Sequence, residues 1–230
     1  MVPPMSLWTR IADAIAALAN GQGLSAIFDQ LRTPPERTAA FAIAVIALGA
    51  KMAKADGVVT RDEVTAFREV FHIPKTEETN AARVYNLARQ DIAGFEDYAH
   101  KIKAMYAAES ETLTDLFEGL FHIALADGNY HPGENDFLTR VAAIFGFTDQ
   151  TFSRLRAQFV PDATRDPYDV LGVSADAPLD DVKAAWRALV RDSHPDRMLA
   201  RGVPAEALKL AEKRLIAINQ AWDSIQETRR

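Results

Sequence analysis

Apolar residues recur every three to four positions along most of the chain, and this spacing constrains the fold more than any other sequence feature. Long stretches lack the strict apolar–polar alternation of half-buried strands. Proline and glycine interrupt the pattern at Gly21–Gly23 and at Thr33–Pro35. The sequence therefore predicts an all-α chain.

Composition narrows the class of protein. The chain has 230 residues, of which 48% are hydrophobic and 25% charged, so one or two domains with a substantial core are expected. The net charge of −6 argues against nucleic-acid binding driven by bulk charge. The absence of cysteine excludes disulfides, thiolate zinc sites and cysteine nucleophiles.

No targeting or membrane segment is expected. A secretory signal has a basic region followed by an unbroken apolar stretch. Here the N-terminal apolar stretch has no basic region before it and is interrupted by Arg10 and Asp13. The longest clean apolar run, 39–50, is shorter than the roughly 20 residues that cross a bilayer. It predicts a buried core helix in a soluble, cytoplasmic protein.

The pattern divides the chain into four parts. Residues 1–35 form an amphipathic lead-in, and 36–158 form a helical block. The stretch 160–167 holds two prolines and no periodicity, which predicts a linker at 159–165. A second unit occupies 166–230.

The helical block contains an internal repeat. The segments 47–71 and 120–145 each carry an apolar helix, then Ala-Asp-Gly, then a glutamate seven residues after the aspartate. The repeated acids are Asp56, Glu63, Asp127 and Glu134. A duplicated helical hairpin is the simplest interpretation.

Helix capping accounts for most of this motif. Gly57 and Gly128 suit the left-handed residue that ends a helix. Thr60 with Glu63 forms a capping box, and Pro132 suits the first position of the next helix. Capping does not explain why both repeats carry aspartate, so a shared acidic surface or metal site stays open as the alternative.

An EF-hand is rejected for the same segments. Loop positions 1 and 3, which would supply calcium ligands, hold Met52 and Lys54 in the first copy. The second copy has Ile123 and Leu125 there.

Residues 36–158, with their paired Ala-Asp-Gly hairpins, resemble the TerB (tellurite-resistance) family of all-helical domains. The resemblance implies a possible metal-binding face formed by the family's clustered acids. The candidate ligands here are Asp56, Glu63, Asp127 and Glu134.

The second unit predicts a helical hairpin preceded by a short helix from Pro167 to Gly172. Two apolar stripes at helical spacing face each other. The first consists of Val182, Ala185, Trp186 and Leu189. The second consists of Leu208, Ala211, Leu215, Ile218, Trp222 and Ile225.

A basic stripe leads to the connection between these helices. Lys183, Arg187 and Arg191 are spaced by four residues and share one helix face. The helix must stop near Ser193, because a residue before proline is disfavoured in helical geometry and His194 precedes a proline. The triplet His194-Pro195-Asp196 therefore lies in an exposed, stiff turn at the end of the stripe.

This triplet has four interpretations: a catalytic histidine, a metal ligand, a plain turn and a docking tip. Catalysis would need a nucleophile or an orienting acid around the histidine, and no oxyanion-hole loop or Gly-x-Ser-x-Gly elbow is present. Metal binding has no recognisable ligand spacing. A plain turn and a docking tip remain, and the surrounding sixty residues decide between them.

Those residues resemble the J domain of DnaJ-type co-chaperones. The matching motifs are Tyr168–Val173, Ala185–Leu189, His194–Arg197 and Ile218–Trp222, in the family's order and spacing. The resemblance implies that the unit docks on a DnaK-type ATPase chaperone and stimulates its ATP hydrolysis. The implied partner-binding residues are His194, Pro195, Asp196, Arg197, Lys183, Arg187 and Arg191.

The chain also departs from simple J domains. The loop Met198–Pro204 is longer than usual, and Asp192 stands where the family more often has a basic or aromatic residue. A TerB-like block followed by a C-terminal J domain is similar to co-chaperones that normally carry an N-terminal membrane anchor, which is not expected here. The TerB-like block is expected to serve client proteins, scaffolding or self-association, including a possible homodimer. No cofactor and no enzymatic activity are expected.

Two rival hypotheses differ in class. The chain could be a TerB-type stress or envelope adaptor whose J-like tail only binds. It could also be a metal-dependent enzyme that uses His131 with the four repeated acids. The intact His-Pro-Asp triplet favours the co-chaperone.

Overall fold

A computed structural model gives the structure of the chain. It describes residues 7–16, 26–31, 36–55, 73, 75, 78–90, 94–106, 110–126, 128–160 and 166–229. Within these ranges every regular element is a helix and no strand occurs, which confirms the predicted all-α class.

The N-terminal region is built from eight helices among the described residues. They are α1 (Leu7–Ala16), α2 (Ile27–Gln30), α3 (Glu36–Ala55), α4 (Glu78–Gln90), α5 (Phe95–Tyr106), α6 (Ser110–Ala124), α7 (Pro132–Phe145) and α8 (Asp149–Phe159). The C-terminal region adds α9 (Pro167–Leu171), α10 (Leu179–Asp192), α11 (Pro195–Ala200), a 3-10 turn (Ala205–Ala207) and α12 (Lys209–Thr228).

Helix α3 is the centre of the N-terminal core. All residues of the apolar run 39–50 are buried, as predicted, because α1, α4, α5, α6 and α7 pack around this helix. A helix that is apolar on all sides is stable only when it is surrounded in this way.

The lead-in belongs to the same core. Trp8 and Ile11 of α1 and Phe28 of α2 are almost fully buried, and α1 packs on α3 and α4. The Phe28 ring meets Tyr98 of α5 edge to face, with 6.1 Å between ring centroids. The two described helices of the lead-in are therefore packed against the helical block.

The second copy of the predicted hairpin is formed by α6 and α7. Gly128 between them has φ 84°, the left-handed geometry expected of it. Pro132 occupies the first turn of α7, and the Glu134 carboxylate accepts a hydrogen bond from the His131 amide at 2.8 Å. The capping interpretation is confirmed for this copy, whereas Gly57, Thr60 and Glu63 of the first copy lie outside the described residues.

The C-terminal region contains the expected hairpin of α10 and α12, with α9 packed across both. Gly172 ends α9 at φ 69°, where its lack of a Cβ is required. Trp186 and Trp222 stack at 5.2 Å between ring centroids, and the Trp186 indole N–H donates to Asn219 Oδ1 at 3.0 Å.

The two regions share a core. Residues of the C-terminal region that follow the His-Pro-Asp turn are buried in the same apolar cluster as α3 and α6. They are Met198, Val203, Ala207, Leu210 and Ala211. A separate, smaller cluster holds the hairpin together and includes Val170, Val182, Ile218, Trp222 and Ile225.

Within the described ranges, no helix combines the length and apolarity needed to cross a lipid bilayer.

Candidate functional site

The His-Pro-Asp turn consists of His194, which lies between α10 and the short helix α11, and of Pro195 and Asp196, which form the first turn of α11. Helix α10 ends at Asp192 with Ser193 as its cap, which agrees with the stop expected before His194-Pro195. His194 has extended backbone geometry and caps α11, and Pro195 takes the first helical position. Proline suits that position because its fixed φ matches the helix and its missing N–H is not needed there.

Internal hydrogen bonds stiffen the turn. The Asp196 amide donates to His194 Nδ1 at 3.2 Å, and the Arg197 amide donates to the His194 carbonyl oxygen at 2.9 Å. Because His194 Nδ1 is engaged inside the turn, Nε2 is the ring nitrogen left to meet another molecule.

The tip faces solvent, whereas both of its flanks are anchored. The His194 side chain is 59% exposed and that of Asp196 is 86% exposed. Ser193 is buried and donates through Oγ to the Leu189 carbonyl oxygen at 2.7 Å, and Met198 is fully buried on the other flank. The result is a rigid, solvent-facing projection.

The same geometry bears on catalysis by His194. The neighbouring hydroxyl, Ser193 Oγ, is buried and committed to the Leu189 carbonyl oxygen. It is therefore not placed as a nucleophile for His194, because a general base must lie within hydrogen-bond reach of the hydroxyl it activates.

Arg197 directly follows the His-Pro-Asp triplet and lies in α11. Its guanidinium forms an ion pair with the Asp192 carboxylate, which also lies 3.6 Å from Arg191 Nε. Asp192 therefore holds two cations next to the turn. The contact with Arg197 crosses from the end of α10 to the start of α11.

The basic stripe occupies the outer side of α10. Arg187 and Arg191 are exposed and Lys183 is half-buried. Val182 on the opposite side is fully buried against α12. The stripe ends at Arg191, three residues before His194.

Arg201 is a central residue of the site that sequence reasoning missed. Its Nη1 and Nη2 atoms each donate to the Asp192 carbonyl oxygen at 3.1 Å. The same guanidinium donates to Asp115 Oδ2 of α6, at 2.8 Å from Nη2 and 3.1 Å from Nε. It also reaches Glu111 at 3.0 Å, on the exposed rim.

A second arginine, next to Arg201, also binds side chains of α6. Arg214 of α12 donates to Asp115 Oδ1 at 2.6 Å and to Glu118 Oε2 at 2.7 Å, and all three side chains are buried. Burial raises the pKa of Glu118 to about 7, although Arg214 acts in the opposite sense. Burial alone would lower the pKa of Arg214, but Glu118 and Asp115 outweigh it and raise that pKa.

The acidic candidates of the repeat are only partly described. Asp56, Glu63 and Asp127 lie outside the described residues. Glu134 is buried and accepts the cap hydrogen bond from the His131 amide. Among the described residues no group of three potential metal ligands is found, and the acidic metal face stays a prediction.

Comparison with known families assigns both regions. The profile of the tellurite resistance protein TerB matches residues 42–157, about half of the chain, and that of the DnaJ domain matches residues 166–230. The chain therefore belongs to the TerB family and carries a DnaJ domain at its C-terminal end. Both resemblances inferred from the motifs are confirmed.

Several relatives that match most of the chain are co-chaperone proteins. The co-chaperone protein DjlA of Photobacterium profundum is 27% identical over 218 residues, covering 84% of this chain and 79% of that protein. The DjlA proteins of Aliivibrio fischeri and Coxiella burnetii are each 26% identical, covering 84% and 77% of this chain and 80% and 73% of those proteins. No solved structure matches.

Proposed function

We propose that this chain is a co-chaperone that stimulates ATP hydrolysis by a DnaK-type chaperone. The observation that carries the proposal is the exposed, internally braced His194-Pro195-Asp196 turn at the end of a basic helix face. The DnaJ-domain match and the co-chaperone relatives support it.

Docking starts with the basic stripe. Lys183, Arg187 and Arg191 meet an acidic surface of the chaperone, which steers the encounter and fixes its register more than it adds affinity. The His-Pro-Asp turn then contacts the chaperone near the junction of its nucleotide-binding domain and interdomain linker.

The coupling is allosteric and the chain itself hydrolyses nothing. By binding the hydrolysis-competent state of the chaperone more tightly than other states, the turn shifts the population toward that state. Pro195 and the bonds around His194 reduce the entropy lost on binding, because the tip is already ordered. No cofactor is needed for this role.

The TerB domain supplies the second function. It binds client proteins, scaffolds an assembly or pairs with a second copy of the chain. We propose a cytoplasmic location, because the proposed DnaK-type partner consumes ATP. The rival role, an adaptor whose J domain only binds, predicts docking without stimulation.

Titration of the chaperone's steady-state ATPase with the full chain tests the proposal. We expect several-fold stimulation by the wild type and none by His194→Gln, because the substitution removes the imidazole ring from the tip. Glu227→Gln is the matched control, since Glu227 is exposed at the far end of α12. Docking of the wild type without stimulation would favour the adaptor and refute the proposal.

A further inference from the structure

The carbonyl group that ends α10 accepts hydrogen bonds from Arg201, the residue that caps the end of α11. Asp192 is the last residue of α10, and terminal carbonyls of a helix have no amide partner within it. Both terminal nitrogens of Arg201 donate to the Asp192 carbonyl oxygen at 3.1 Å. A cation at this end also complements the helix dipole.

Arg201 is in turn fixed by α6. Asp115, whose side chain is 1% exposed, accepts two hydrogen bonds from its guanidinium at 2.8 and 3.1 Å. The Arg201 carbonyl oxygen accepts a further bond from Thr112 Oγ1 at 3.3 Å. Paired charge-assisted bonds of this kind fix geometry more strongly than a single contact does.

Apolar packing reinforces the same connection. Met198 and Val203, which flank Arg201, are buried in the core built around α3 and α6. The other side of the turn, α10, packs instead in the smaller hairpin cluster with α12. The His-Pro-Asp turn therefore lies where the two cores meet.

We infer that α6 of the TerB domain positions the His-Pro-Asp turn through Arg201, with Asp115 and Arg201 as positioning residues for chaperone stimulation. This inference rests on the proposed function for its activity readout. A contiguous set of bonds runs from Asp115 to Arg201, to the Asp192 carbonyl, and through the Asp192 carboxylate to Arg197. The TerB domain thereby contributes to the rigidity of the docking tip.

Removal of Arg201 is expected to loosen the tip without unfolding the chain. Its side chain is 13% exposed and sits at the edge of the buried cluster, whereas the Arg214–Glu118 pair lies deeper. A tip that spends only a tenth of its time in the competent geometry weakens apparent affinity about tenfold, with the maximal effect at saturation preserved. Lysine cannot replace the arginine, since one ammonium group cannot span both acceptors as the planar fork does.

The test uses the full chain with Arg201→Gln and Asp115→Asn, and with Glu111→Gln as matched control. Glu111 pairs with the same guanidinium, but its side chain is 56% exposed, and such pairs contribute little. Amide hydrogen exchange is followed at Arg197 and Met198, whose N–H groups donate to the His194 carbonyl oxygen at 2.9 and 3.1 Å.

Faster exchange at these two amides in Arg201→Gln, with unchanged exchange at Ile218 and Trp222, is the expected result. The concentration for half-maximal ATPase stimulation should rise about tenfold while the maximum is kept. Glu111→Gln should match the wild type in both readouts. If Asp115→Asn does not fold, Arg201→Gln alone decides.

Wild-type exchange at Arg197 and Met198 in a folded Arg201→Gln chain would overturn the inference. So would exchange that accelerates equally throughout the chain, because that is the signature of lost global stability. If the wild-type chain stimulates no hydrolysis, the proposed function fails, whereas the exchange measurement still judges the positioning contact by itself.

Discussion

Burial shifts the pKa values of two residues, one helical turn apart on α6, in opposite directions. Glu118 has its pKa raised from 4.5 to about 7, first by burial and then by Asp115, against the effect of Arg214. His122 has its pKa lowered from 6.5 to about 3, first by burial and then by the nearby cations Lys213 and Arg214. Both shifts disfavour the charged form of the group.

These shifts predict opposing pH dependences. The stabilising contribution of protonated Glu118 is fully present below pH 4.5 and is lost as the pH rises through about 7. The contribution of neutral His122 is present above pH 6.5 and is lost as the pH falls toward about 3. Between pH 7 and pH 5 the two contributions largely offset each other.

Single substitutions should separate the two contributions. On acidification from pH 7 to pH 5, Glu118→Gln should lose about 2 kcal/mol of stability relative to wild type, because the His122 effect is then unopposed. His122→Gln should change in the opposite direction. Urea unfolding at both pH values measures this, and equal pH dependence in the two variants would contradict it.

At the scale of residues, the sequence predicted the exposed residues of the site better than the buried residues that hold them in place. The His194 turn and the basic stripe follow from local rules, namely proline geometry and four-residue spacing. Arg201 and Asp115 are 86 positions apart, and neither belongs to a local pattern. Their pairing depends on how the two regions pack, so no short-range signal could reveal it.

At the scale of elements, α12 shows where pattern and structure differ. The sequence predicts that its apolar stripe faces the stripe of α10. The structure divides it, since Ala211 lies in the N-terminal core whereas Ile218, Trp222 and Ile225 lie in the hairpin cluster. Periodicity identifies the buried side of a helix but does not say which partner covers each turn.

Trp222 is expected to carry much of the hairpin stability. It is 6% exposed and stacks on Trp186, so Trp222→Ala should cost about 3–5 kcal/mol by loss of burial and creation of a cavity. Ile216→Ala on the same helix is the control, since Ile216 is 57% exposed and should change stability by about 0.5 kcal/mol or less. Urea denaturation compares them, and equal costs would argue against the observed packing.

At the scale of the whole molecule, the two regions form a continuous structure. The sequence predicts a linker at 159–165 between two units, and the helices on either side of it are in contact. Helix α9 packs on α8, and Gln158 Nε2 donates to the Val170 carbonyl oxygen at 3.1 Å. Residues 161–165 lie outside the described part of the chain. Composition identifies a break in periodicity, but contacts across the break depend on tertiary packing.

The shared core predicts cooperative unfolding. Leu210 and Ala211 of the J domain are buried among residues of the TerB domain, and Arg214 is paired there. We expect one urea transition, with far-UV circular dichroism and tryptophan fluorescence giving the same midpoint, since coincident probes mark a two-state process. Trp8 is buried in the N-terminal core, so the measurement uses Trp8→Phe, in which only Trp186 and Trp222 of the J domain fluoresce as tryptophans. An earlier fluorescence transition in that variant would show that the J domain unfolds independently.

The central claim is that the His-Pro-Asp turn stimulates ATP hydrolysis by a DnaK-type chaperone, and single-turnover hydrolysis tests it most directly. The chaperone is preloaded with ATP and mixed with the wild-type chain or with His194→Gln, and the rate constant of the first turnover is measured. The account predicts several-fold acceleration or more by the wild type and none by the folded variant. Equal rate constants for the two chains would contradict it.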